Sequence, residues 1–128
     1  MKKVLLALWQ APQILFGLLV VLFLKARPSR RLDCGARVWW CTALLGVSFG
    51  PIIVLYERAE LRAQLHEIGH SKQSTLLGPL YLVVIGLSSL IMNLLTRAGV
   101  LRADRYYKRW PESWADSLGG VERLSNIV

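Results

Sequence analysis

The stretch His66-Glu67-Ile68-Gly69-His70 decides how this chain is read. It holds the only two histidines, four residues apart around a glutamate. On an α-helix that spacing stacks both imidazoles on one face, one turn apart, where they can grip a single zinc ion. Glu67 lies next to that face, so its carboxylate can hold a water beside the metal and take its proton as the water attacks a carbonyl. The bland reading of the same residues is a polar helix face with two ordinary histidines.

On either side of the motif, residues 56–77 have the periodicity of an amphipathic helix. Leu61, Leu65, Ile68 and Leu76 fall on a face roughly 80–160° away from His66 and His70, so the histidines need not face a core. Gly78-Pro79 ends this helix. Ahead of it, residues 49–55 form a short apolar, β-branched run behind Gly50-Pro51, which suits a strand as readily as a helix. Ile52-Ile53-Val54 is the candidate for a strand lying along the site, where an extended substrate can pair.

A chain of 128 residues is one domain. Its hydrophobic fraction is 54% against 19% charged, and the apolar residues bunch into three runs, 4–24, 38–55 and 75–95. That is a membrane composition, and each run is long enough to cross a bilayer as a helix. Each is also interrupted, by Trp9-Gln10-Ala11-Pro12-Gln13, by Ser48-Phe49-Gly50-Pro51, and by Gly78-Pro79 with Gly86-Leu87-Ser88-Ser89. Such breaks favour kinks and re-entrant hairpins over straight spans. Basic residues flank every run, so charge alternation defines no inside and outside; segments that dip in and return, or lie in the interface, fit better. Trp39, Trp40, Trp110 and Trp114 then sit at headgroup level. Met1-Lys2-Lys3 opens like a secretory leader, but run 4–24 ends in Lys25-Ala26-Arg27-Pro28 with no small-residue cleavage site, which favours an uncleaved anchor. The net charge of +8, beside runs this apolar, points to anionic lipid headgroups as partner; no nucleic-acid motif accompanies the basic run 25–37, and no nucleic-acid partner is expected. Cys34 and Cys41 read as free, semi-buried thiols.

Two histidines do not complete a catalytic zinc site, which usually takes three protein ligands. Residues 110–120 supply candidates: Pro111 suits a first helical turn and Gly119-Gly120 a stop, so Pro111 to Leu118 is expected to be a short helix. Glu112 and Asp116 stand four apart on it, so one carboxylate can bind zinc while the other hydrogen-bonds a ligating histidine. Asp104 is an alternative ligand. Tyr106, Tyr107 and Arg109 are candidates for stabilising an oxyanion, with a membrane-interface role as their more ordinary reading. Gln73, one turn past His70, reads as exposed helix polarity. Glu112 and Asp116 could instead pair with Arg109 and Arg123, and the last eight residues read as a frayed tail.

His-Glu-x-x-His followed by Glu112-Ser113-Trp114-Ala115-Asp116-Ser117-Leu118-Gly119 resembles the gluzincin metallopeptidases, and within them the membrane-embedded CAAX prenyl proteases and bacterial heat-shock membrane proteases. The resemblance implies that Glu112 is the third zinc ligand and that Asp116 orients a histidine. Ser71-Lys72-Gln73-Ser74 with Leu77-Gly78-Pro79-Leu80-Tyr81-Leu82 is also similar to small uncharacterised bacterial and phage membrane proteins of zincin type. Full members of the gluzincin family carry more helices than this chain can hold.

The expected architecture is mainly α: a minimal zincin-like, membrane-associated fold with the His66–His70 helix, the short Glu112/Asp116 helix, a small strand element and two to three apolar membrane segments, some re-entrant. The expected activity is zinc-dependent hydrolysis of peptide bonds in a peptide or protein substrate. Glu67 is the general base, and the metal site faces the cytoplasm at a bacterial inner membrane, in a bacterial or phage-encoded protein. The rival is a non-enzymatic small membrane protein with a structural zinc site. Geometry adds one constraint. Were 75–95 to cross a bilayer once, Glu112 would end about 30 Å from the histidines, so that segment is expected to bend near Gly86-Leu87-Ser88-Ser89 or to lie in the interface.

Overall fold

Ile52-Ile53-Val54-Leu55 are apolar at consecutive positions, so both faces of that segment favour burial. In the computed structural model, which describes residues 1–121, they form the inner strand of a sheet. The strands are β1 (Arg27–Arg31), β2 (Arg37–Cys41), β3 (Gly46–Phe49) and β4 (Ile52–Tyr56), in the order β1-β2-β4-β3. β4 runs parallel to β2 and antiparallel to β3, with Val38 opposite Ile53 and Ser48 opposite Ile53 on the other side. Arg123 and, beyond Val121, the expected tail lie outside the described residues.

The sheet has a helix on each face. Ile52, Val54 and Cys41 pack against Ile14, Val20, Val21 and Leu24 of α2 (Ala11–Leu24), whereas Ile53, Leu55 and Val38 pack against Ala63 and Ile68 of α3 (Leu61–Leu77). Run 38–55, expected as an apolar membrane segment, is therefore three strands. Its apolar length reflects a strand buried on both faces. Basic run 25–37 forms the edge strand β1 and the turn into β2. Both cysteines are free; Cys41 is buried, while Cys34 is exposed in that turn rather than semi-buried.

The remaining apolar runs are bent helix pairs. α1 (Lys2–Trp9) meets α2 at 75°, with Pro12 in the first turn of α2. α3 passes through a 3-10 turn at Gly78–Leu80 and a π turn at Leu82–Leu87 into α4 (Ser88–Arg97), bending by 117°. The bend falls at Gly78-Pro79 rather than near Gly86. Gly78 has φ +55°, and a Cβ there would lie 2.0 Å from the Trp9 ring; Gly86 only widens the helix. The two elbows interlock. Gln13 Nε2 donates to Ser74 Oγ (3.0 Å) and to the Gly78 carbonyl (2.6 Å), Ser74 Oγ donates to Gln10 Oε1 (2.6 Å), and Trp9 Nε1 donates to the Thr75 carbonyl (3.1 Å). These bonds give Gln13 Nε2 and Gln10 Oε1 partners inside apolar helices, while Gln13 Oε1 is buried without one among the described residues.

After α4, residues 98–111 include a 3-10 segment, Ala103–Lys108, and lead to α5 (Glu112–Gly119). The fold is mainly helical with a small mixed sheet. Among the described residues no single helix is long and apolar enough to cross a membrane.

Candidate metal centre

α3 presents its polar side inward. His66, Glu67, Gly69, His70, Ser71, Gln73 and Ser74 are buried, whereas Leu61 and Leu76 are 68% and 61% exposed. The face expected to be apolar is split, with Ile68 against the sheet while Leu61 and Leu76 face outward, and the histidines, which needed no core, are buried. The cause is α5, which crosses the polar face at backbone contact. A Cβ on Gly69 would lie 1.8 Å from the Ala115 carbonyl oxygen, and one on Gly119 would lie 1.9 Å from that of Leu65. Gly119, expected as part of the helix stop, is thus the last residue of α5 and a second point of close approach; Gly120, at φ +73°, is the C-cap.

That crossing delivers Glu112 and Asp116 to the histidines. His66 Nε2 lies 2.8 Å and His70 Nε2 3.1 Å from the same oxygen, Glu112 Oε2. Asp116 Oδ1 stands 2.6 Å from His66 Nδ1. The ligand atoms of His66, His70 and Glu112 all lie within 4.8 Å of one another. Gln73, expected at the surface, is fully buried. Its Nε2 donates to the Pro111 carbonyl (3.1 Å), which turns its Oε1 to accept from His70 Nδ1 at 2.7 Å.

Both Nδ1 atoms therefore carry hydrogens, donated to Asp116 and Gln73. In the neutral rings both Nε2 lone pairs then point at a carboxylate oxygen, an arrangement that calls for a shared cation or a proton. Two imidazole nitrogens and one carboxylate oxygen, each ring steered by an outer partner, fit a catalytic zinc site. Without metal, a proton takes the cation's place. Burial acts to lower His70, but Glu112, Glu67 and Gln73 outweigh it and push its pKa up to about 9. Burial acts to raise Glu112, yet hydrogen bonds from His66 and His70 hold its carboxyl well below the usual carboxylate range.

Glu67 follows His66 on α3 and is 6% exposed. Burial raises its pKa, against the pull of His70 and His66 and with the push of Glu112. Its Oε1 faces Gly46 of β3, where a Cβ would lie 3.2 Å away, and its Oε2 is buried with no hydrogen-bond partner among the described residues. An orphaned carboxylate oxygen beside converging lone pairs is suited to accept from a water. The strand nearest this glutamate is β3, an edge strand. Ile52-Ile53-Val54, the expected candidate, is paired on both sides within the sheet and offers no free edge.

The other candidates divide. Asp104 is exposed and pairs with Arg102 at 3.0 Å, away from the trio. Arg109 donates to the Arg102 carbonyl. Tyr106 OH lies 3.4 Å from Glu112 Oε1, and burial, chiefly, pushes its pKa up to about 12. The Tyr107 ring meets His66 edge-on at 5.2 Å. Gln73 could have been found from its place one turn beyond His70; nothing in the sequence marked Gly69 as a contact point. The chain matches no family model, and neither curated proteins nor solved structures give a significant match to it.

Proposed function

We propose that this chain is a minimal, membrane-associated zinc metallopeptidase of gluzincin type, with His66, His70 and Glu112 as metal ligands, Asp116 as an orienting residue and Glu67 as general base. One observation carries the reading: two histidine Nε2 atoms and a Glu112 oxygen converge with both Nδ1 atoms already engaged, beside a buried glutamate. Bound there, zinc would supply Lewis acidity, polarising a scissile carbonyl and acidifying water. Glu67 takes one proton from the attacking water as its oxygen adds to the carbonyl carbon. It returns that proton to the amide nitrogen as the C–N bond breaks, leaving a carboxylic acid and an amine. Asp116 and Gln73 hold the two rings in register throughout. An extended substrate would run along β3, the edge strand beside Glu67.

Membrane association is supported by an apolar exterior. Leu8 (67%), Leu22 (76%), Phe23 (86%), Val83 (64%), Leu90 (54%) and Leu94 (56%) are exposed on the two bent helix pairs, far more than a water-facing domain ordinarily shows. Anionic headgroups of a bacterial inner membrane, with the metal centre on the cytoplasmic side, suit these surfaces and the positive charge.

A second reading has its own observation: the trio is nearly buried and bridges α3 to α5, which favours a structural zinc in a non-enzymatic membrane protein. Glu67→Gln separates the two. If the protein is a peptidase, the variant keeps zinc and its unfolding temperature but loses peptide hydrolysis measured against a mixed peptide library in detergent. Hydrolysis that survives the substitution, or that the parent never shows, removes the catalytic reading. Protein that takes up no zinc at neutral pH removes both.

A further inference from the structure

The metal centre is closed. Glu112 is 1% and His66 6% exposed, and the segment between α4 and α5 covers them. Tyr106 reaches Glu112 at 3.4 Å, Tyr107 lies edge-on against His66, and the two tyrosine rings meet at 5.0 Å. A polypeptide reaches the trio only if this cover moves. The side chains of Arg102 and Arg109 bond inside the segment, while backbone bonds hold its two ends, from the Val100 amide to the Leu95 carbonyl of α4 and from the Ser113 amide of α5 to the Arg109 carbonyl. Arg102 binds Asp104, Arg109 binds the Arg102 carbonyl, and the Arg105 and Arg109 amides bond to Arg102 and Tyr106, all inside the segment. A cleft of about 260 Å³, lined by Glu60, Arg62, Ala63 and Tyr107, already opens beside the Tyr107 ring.

The composition of the cover is as pointed as its position. Residues 97–110 carry five cations, Arg97, Arg102, Arg105, Lys108 and Arg109, against the single acid Asp104. All but Arg109, which is half-buried, are exposed. Val100 (69%) and Trp110 (53%) are exposed among them. The segment continues directly from α4, whose outer side shows Leu90, Ile91 and Leu94 to the exterior. Basic and aromatic residues following an exposed apolar helix are complementary to an anionic bilayer, with the helix at acyl-chain depth and the cations among headgroups.

We infer that residues 98–110 are a lid over the metal centre that opens when α4 and its basic continuation dock on an anionic membrane surface. Headgroups compete for the cations and the interface competes for Tyr107 and Trp110, drawing both tyrosines off His66 and Glu112. The inference rests on the metal centre proposed above and gives that centre a switch: closed in water, open at the bilayer.

The full-length protein, loaded with Co²⁺ in place of zinc, tests this by the rate at which a soluble chelator strips the metal. Metal loss is expected to be at least about 10-fold faster on phosphatidylglycerol-containing vesicles than on phosphatidylcholine vesicles, an advantage that high salt erases. Combined Arg102→Gln, Arg105→Gln and Lys108→Gln should abolish the difference, and Tyr107→Ala should bring the rate on neutral vesicles close to that on anionic ones. Tight metal binding with equal rates on both vesicles overturns the lid and leaves the metal centre standing. Acceleration by a soluble polyanion but not by vesicles assigns the cover to a different partner and overturns the bilayer as its trigger. Protein that binds no Co²⁺ overturns the metal centre and the lid together.

Discussion

His66 and His70 are held by unlike partners, a carboxylate and a carboxamide, so Asp116 strengthens its ring as a donor while Gln73 only fixes an orientation. Replacing Gln73 with leucine leaves a buried Nδ1–H and the Pro111 carbonyl unpaired, at a cost of about 1–3 kcal/mol for each buried group left unsatisfied. Zinc affinity, read by competition with a chromophoric chelator, should fall about 10- to 100-fold; unchanged affinity would make Gln73 a bystander. A second expectation concerns pH. The folded, metal-free chain holds a proton on His70 more tightly than the unfolded chain does, with the pKa raised from 6.5 to about 9. The resulting stability is therefore complete below 6.5 and drains away as pH rises toward about 9. Thermal unfolding of chelator-treated protein should show that decline, and His70→Gln should flatten it. Zinc displaces the same proton, so its affinity should climb across the same interval. A flat parent curve contradicts the assignment. That His66, His70, Glu112 and Asp116 come together was legible in the spacing of each pair, because metal chemistry restricts residue type and local spacing together. Gln73 was marked only by its place one turn past His70, since a polar residue near a helix end looks solvated until a distant segment such as Pro111 is known to cover it.

The two helices of the metal centre meet as backbone on backbone, and this makes glycine decisive. Gly69→Ala would set a methyl group 1.8 Å from the Ala115 carbonyl oxygen, a contact that neither backbone can yield without parting α3 from α5. Overpacking of this kind typically costs about 1–3 kcal/mol, and backbone against backbone belongs at the upper end. Glu112 and Asp116 move with α5, so the variant should lose zinc binding along with several degrees of unfolding temperature, measured by metal titration and calorimetry. Gly99→Ala, with nothing within 4 Å of the added Cβ, is the control for strain alone, being at positive φ. The short helix of α5 was legible from Pro111 and the glycine pair. The sheet was not. Ile52 to Leu55 give the same apolar run whether the neighbours are lipid or two helices, and only long-range pairing with β2 and β3 decides between them. The elbow at Gly78-Pro79 was visible as a helix end, but the Trp9 ring that fills the space beside Gly78 comes from far away in sequence.

Across the molecule, the α3–α4 pair folds back by 117°, and the proposed ligands on α3 and α5 meet at one place. Lys72 Nζ donates to the Leu118 carbonyl at 2.9 Å, beside α5, and Asp104 lies in the cover over the same centre. Cysteines placed singly at these positions, Lys72→Cys and Asp104→Cys with Cys34 and Cys41 replaced by alanine, should react with an impermeant maleimide from the same side of sealed vesicles. Labelling from opposite sides is incompatible with a three-ligand centre within one chain. The interlocked elbows also bear on how the protein is made. Gln10 and Gln13 find their partners 61 to 65 residues downstream, at Ser74 and Gly78. As the nascent chain leaves the ribosome, the first apolar helices emerge with two bare carboxamides that neither hydrocarbon nor the unfinished domain can satisfy. They have to wait, in the care of whatever escorts apolar nascent segments, until the turn at Gly78 has emerged from the ribosome. A ribosome stalled before that emergence would display unlatched first helices open to proteases, whereas one stalled after it would display a closed pair.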